Sequence, residues 1–293
     1  MRKMFLAASA AVAVSMAAPA AAQAPAAGPY DAAVFAKAKQ LQPKVVAWRR
    51  DIHQNPELGN REVRTSKLVA DHLRKLGYEV KTGVAKTGVV AVLKGGKPGG
   101  GVVALRADMD ALPVAEKTGL PFASKATATW EGKTVPVMHA CGHDTHVAML
   151  LGTATVLAGM KKDIQGTVVF IFQPAEEGPQ AGEEGGAKLM IRDGALDNPK
   201  VDAIFGVHIG PGDPHQLNYR PEGFYASSDR ITITVKGKQT HGARPWAGVD
   251  MASVAADIVQ ATNQIAARQV DVGASPSVLT IAVINMGMRQ NII

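Results

Sequence analysis

Three apolar runs, each ending in side chains able to bind protons or metals, constrain the fold more than any other feature. Residues 102–106 lead into Asp108 and Asp110, 167–172 into Gln173, Glu176 and Glu177, and 201–207 into His208. Short, nearly continuous apolar runs mark strands covered on both faces. In open α/β sheets the functional groups gather beyond the carboxyl ends of such strands. The expected fold is therefore α/β, with these residues on one rim.

A fourth segment joins that rim. Cys141-Gly142-His143-Asp144-Thr145-His146 precedes an apolar stretch at 146–160 that reads as a buried helix, with Asp144 or Thr145 as its N-cap. Cys141 is the only cysteine of the chain, so it has no intramolecular disulfide partner. Residues two apart in an extended stretch point the same way, so Cys141 and His143 can grip the same cation pair. Glu176 and Glu177 are adjacent and point apart unless the chain turns. One can coordinate a metal while the other faces a water as general base, its proton affinity raised by its neighbour. The competing reading is a Cys141–His143 nucleophile pair. It leaves Glu176, Glu177 and His208 without a task, whereas a shared metal site uses all of them.

The rest of the chain places this rim. Arg2 and Lys3, an apolar run at 4–16 and Ala20-Ala21-Ala22 read as a signal peptide over 1–22, with an Ala/Pro lead-in at 23–30. The expected location is therefore secreted or periplasmic. Helices are expected at 32–52, where Pro43 threatens an early break, and at 61–76, stopped by Gly77. Strands are expected at 78–84 and 89–93, a glycine-rich turn at 95–101, a long irregular excursion at 112–136 and a short helix at 186–192. The texture changes near residue 210. Strands are expected at 231–235 and 278–285 around a helix at 249–268. The boundary falls between His215 and Arg230, giving a catalytic domain at 31–216 and a second domain at 217–293. The net charge of +7 is scattered, and its densest groups, Arg49-Arg50 and Lys161-Lys162, stand apart from aromatic residues. Nucleic acid is not an expected partner, nor is a membrane once the signal is removed.

Several long motifs then match one family in order. They are Asp51-Ile52-His53-Gln54-Asn55-Pro56-Glu57-Leu58-Gly59, Asp108-Met109-Asp110-Ala111-Leu112-Pro113, Met138-His139-Ala140-Cys141-Gly142-His143-Asp144-Thr145-His146 and Phe172-Gln173-Pro174-Ala175-Glu176-Glu177-Gly178. Ala226-Ser227-Ser228-Asp229 and His241-Gly242-Ala243-Arg244-Pro245 follow. The chain resembles the M20 metallopeptidases, in the amidohydrolase branch of hippurate, N-acyl-amino-acid and auxin-conjugate hydrolases. The resemblance implies a catalytic domain with a central mixed sheet flanked by helices, and an inserted α+β lid that forms a homodimer. It implies two divalent metal ions (Mn, Zn, Co or Ni) on Cys141, His143, Glu177 and His208, with Asp110 steadying them. It implies Glu176 as general base, His241 at the oxyanion of a neighbouring subunit's site and Asn291 on the substrate. The implied reaction is hydrolysis of the amide bond of an N-acyl-amino acid or small peptide. Family members continue past Asn291-Ile292-Ile293 and supply a further histidine ligand, so a chain ending here is expected to be a fragment or truncated product that folds poorly or acts weakly. The rival outcome is a catalytically impaired binding protein on the same scaffold.

Overall fold

The β-rich half of the pattern assembles into one five-stranded mixed sheet. The computed structural model describes residues 28, 30–213, 216–222, 229–274 and 277–293. The expected signal peptide, nearly all of the lead-in, and Ala226-Ser227-Ser228 of the second domain's motif lie outside the described residues. Two compact units result, one ending at Pro211 and one covering Gly212–Ile293.

In the first unit the sheet contains β1 (Glu79–Val84), β2 (Gly88–Lys94), β3 (Lys97–Asp108), β6 (Gln165–Gln173) and β7 (Ala203–Gly206), in the order β1-β2-β6-β3-β7. β1, β2 and β6 pair antiparallel, while β6, β3 and β7 run parallel. The register sets Asp108 beside Gln173, so the polar ends of β3 and β6 emerge together. The apolar run of β6 places it in mid-sheet as expected, with Phe170 and Phe172 fully buried.

Helices cover both faces. α1 (Asp31–Gln54), α2 (Val63–Lys75) and α3 (His143–Ala158) enclose a core of Ile52, Val69, Leu73, Leu151, Phe170 and Phe172. α4 (Gly186–Arg192) closes the other face through Met190, against Val90, Val169 and Ile171. α1 runs through Pro43 without a break. Its Val45 approaches so near to α3 that a Cβ on Gly152 would lie 2.9 Å from the Val45 methyl, so the small residue sets the helix spacing.

Several expectations need correction. α3 begins at His143, not 146, and its N-cap is Gly142 at φ +86, not Asp144 or Thr145. The buried contacts of Asp144 remove it from capping: its carboxylate lies 2.9 Å from His53 Nδ1 and 2.8 Å from Arg49 Nε. The glycine-rich stretch at 97–101 belongs to β3, with an irregular register before Val102. The excursion contains a hairpin, β4 (Thr127–Trp130) with β5 (Lys133–Pro136). β7 is exposed rather than buried, because among the described residues β3 is its single partner strand at the sheet edge. In the second unit α5 (Met251–Arg268) is present, capped by Asp250, which accepts from the Ala252 and Ser253 amides. The expected strands at 231–235 and 278–285 form no ladder there; the pairings described are single bridges, Lys238 with Val249 and His241 with Ile292. No helix among the described residues is long and apolar enough to cross a membrane.

Candidate metal centre

β3 ends in Arg106 and Asp108, two residues apart and so on the same side of the strand, and Asp110 follows just beyond its end. Asp108 is fully buried, with Oδ1 2.6 Å from His146 Nδ1 and Oδ2 2.7 Å from Arg106 Nη1. Burial alone would raise its pKa. The His146 hydrogen bond, Arg106 and His143 outweigh burial and hold it at about 2, so Asp108 is an anion. His146 Nε2 accepts the Ile209 amide at 2.8 Å, which assigns the ring proton to Nδ1. Both nitrogens of His146 are thus engaged within the protein.

His143 differs. It is 0% exposed, and its Nδ1 faces Asp110 through the backbone oxygen at 2.9 Å and Oδ1 at 3.3 Å. Its Nε2 is buried with no hydrogen-bond partner among the described residues, 3.8 Å from Asp108 Oδ1 and 3.8 Å from Glu176 Oε2. A buried polar atom without a partner is costly. This one faces two carboxylates, surroundings that suit a bound cation. The same surroundings show in the pKa values. Burial lowers that of His143, but Asp110, Asp108 and Glu176 lift it to about 9. The Cys141 thiol is pushed up to about 12 by burial, Glu177 and Glu176.

The neighbouring donors complete three groups that share His143, namely Asp108–His143–His146, whose His146 is already engaged, and the two open ones, Cys141–His143–His208 and His143–Glu176–Glu177, each with ligand atoms within 4.8 Å of one another. Cys141 Sγ lies 3.4 Å from His208 Nε2, whose other nitrogen is 2.6 Å from the Ile209 oxygen. Asp110 joins the two groups, since its Oδ2 accepts the Glu177 amide at 3.0 Å. Glu176 has a raised pKa, from burial first and then from Asp108 and Glu177. The chain thus brings Cys141, His143, Glu176, Glu177 and His208 together, with Asp108 and Asp110 behind them. His241 and Asn291 belong to the second unit. There the Gly242 amide donates to the Asn291 oxygen at 2.9 Å, and His241 Nδ1 accepts the Ala243 amide at 3.1 Å.

Residues 104–289 match the peptidase family M20/M25/M40. The chain belongs to that family. It is 46% identical over 257 residues to thermostable carboxypeptidase 2 of Saccharolobus solfataricus, covering 87% of this chain and 62% of that one. It is 42% identical to hippurate hydrolase of Campylobacter jejuni, covering 86% and 62%. A solved structure, the Bacillus subtilis YxeP protein described as a dinuclear metal binding peptidase of the M20 family, superposes with a TM-score of 0.51 at 43% identity. It covers 59% of this chain and 44% of that one. The chain spans about 62% of the length of these two curated relatives.

Within this M20 chain, some supporting residues escaped the sequence reading. Asp108 was placed on the rim but its clamp by Arg106 and His146 was not foreseen; the alternation of β3 carried that signal. His53 bridges Asp144 at 2.9 Å and Glu116 at 3.2 Å, tying the 112–136 excursion to α1, and nothing local in the sequence pairs them. Gly142 is the hinge of the constellation. A Cβ there would lie 2.4 Å from the Ile209 side chain, and φ +86 is unfavourable for any L-residue. Gly142→Ala should cost at least about 1–2 kcal/mol of stability, read from urea unfolding of the metal-free protein. An unchanged midpoint would show that the turn is less constrained than described.

Proposed function

We propose that this protein hydrolyses the amide bond of N-acyl-amino acids or small peptides, with two divalent metal ions held by Cys141, His143, Glu177 and His208. The observation that carries the reading is the buried Nε2 of His143, without a hydrogen-bond partner among the described residues, on a side chain common to every donor group. A thiolate, two imidazoles and a carboxylate suit Zn, Co or Ni, and the carboxylates also suit Mn. When bound, the ions would supply Lewis acidity towards a carbonyl oxygen and a lower pKa for water. Glu176 takes the proton of the attacking water and returns it to the leaving amine. Its carboxylate suits that task because burial, Asp108 and Glu177 raise its proton affinity. Asp110 fixes the His143 tautomer and the Glu177 backbone together. His241 stabilises the oxyanion, from a neighbouring subunit, and Asn291 holds the substrate. The inserted α+β lid, 217–293, is the homodimer surface, and the protein is exported after cleavage of residues 1–22.

A Cys141 nucleophile is disfavoured, since burial and then the carboxylates around the thiol raise its pKa, the opposite of activation. Hippurate and dipeptide hydrolysis should vanish on chelation and return with added Mn or Zn. Turnover indifferent to chelation would overturn the metal reading. Metal binding without turnover on any N-acyl-amino acid would leave a binding protein on this scaffold.

A further inference from the structure

The Glu176–Glu177 pair follows Ala175, a non-glycine residue at φ +47. Such a conformation persists only where surrounding structure imposes it. The constraint here comes from outside the site. The Ala175 amide donates to Glu62 Oε1 at 2.8 Å, and Glu62, the N-cap residue of α2, is 0% exposed. Its other oxygen accepts the Thr87 hydroxyl from the loop before β2. Three glycines close around the same turn. A Cβ on Gly59 would lie 3.2 Å from Ala175 Cα, one on Gly185 3.1 Å from Ala175 Cβ, and one on Gly186 2.9 Å from Ala175 O. On the far side the Glu177 amide is held by Asp110. The two carboxylates are therefore anchored at both ends, at Ala175 by Glu62 and at Glu177 by Asp110.

We propose that Glu62 is a positioning residue for the hydrolytic site, accepting the Ala175 amide to hold the left-handed turn that presents Glu176 and Glu177 beside His143. This rests on the roles given above to Glu176 and Glu177. Glu62 acts through the backbone, so its acceptor oxygen matters more than its charge. Glutamine keeps an oxygen for the Ala175 amide and an amide group for the Thr87 hydroxyl. Alanine keeps neither, and leaves the buried amide unpaired.

The test is calorimetric titration of the metal-free protein with Mn²⁺, beside thermal melting of each metal-free form. Glu62→Ala should weaken Mn²⁺ binding by about 10- to 100-fold, the range for lost supporting partners. Glu62→Gln should stay within about threefold of wild type, under half of a tenfold step in free energy. Adding Ala175→Gly to Glu62→Ala should recover a large part of the loss, because glycine takes the left-handed turn unaided. A packing role would lower the melting temperature without that recovery. Wild-type binding in Glu62→Ala, equal weakening in Glu62→Gln, or no recovery in the double variant would each overturn the proposal. If Glu62→Ala does not fold, Thr87→Val, which frees one Glu62 oxygen, should still weaken Mn²⁺ binding, and unchanged binding would overturn it. A wild-type protein that takes up no Mn²⁺ would instead overturn the site assignment on which Glu62 depends.

Discussion

Glu176→Gln should lower turnover of an N-acyl-amino acid by about 10²- to 10⁴-fold, the usual share of a general base, while metal content stays that of wild type. On the proposed reading this side chain transfers a proton and does not hold the structure. It is only partly covered at the rim, its side chain 37% exposed, and His143 Nε2 is 3.8 Å away. Its proton affinity is raised by burial, Asp108 and Glu177. Glutamine keeps the shape and loses the base. A steady-state assay with elemental analysis of the same sample separates the two properties. Turnover within about tenfold of wild type, less than the lower bound for a general base, would remove Glu176 from the role.

His143→Ala should abolish both metal positions at once. The imidazole belongs to both donor groups, so its loss strikes Cys141 and His208 on one side and Glu176 and Glu177 on the other. It also leaves Asp108 and Asp110 facing each other across a vacated, buried space. Removing one partner from a buried charged cluster costs about 3–5 kcal/mol, so the variant should melt lower even without metal. Metal affinity should fall beyond the about 10- to 100-fold that loss of a mere supporting partner brings. Retention of full metal content would show that the ions sit elsewhere.

Much of the rim was legible because local pattern and chemistry coincide there. The β6 run was apolar enough to demand a mid-sheet position, and the parallel β3–β6 pairing then brought Asp108 level with Gln173. The spacing of Cys141 and His143 marked them as neighbours in one site, which the structure shows beside His208, while the choice between metal and nucleophile needed the other segments. What stayed hidden depends on contacts distant in sequence. Asp144 looked like a helix cap, yet Arg49 and His53 on α1 draw it inward and leave Gly142 to start the helix. Glu62 falls inside the helix expected at 61–76 with nothing local to mark it, because its partner Ala175 lies 113 residues away. β7 read as buried from its composition, but burial depends on neighbours that a hydrophobic run does not specify. The strands expected at 231–235 and 278–285 fail similarly: alternation marks a chain able to pair, and pairing also needs a partner in register.

On the proposed reading Cys141, His143, Glu177 and His208 hold two metal ions beside Glu176. Elemental analysis of the purified protein, folded in the presence of Mn or Zn and freed of loose metal by gel filtration, tests it most directly. The site described here predicts about two divalent ions per chain, lost together in His143→Ala and retained in Glu176→Gln. A protein that keeps no divalent ion, or one whose metal content is unaffected by His143→Ala, would contradict it.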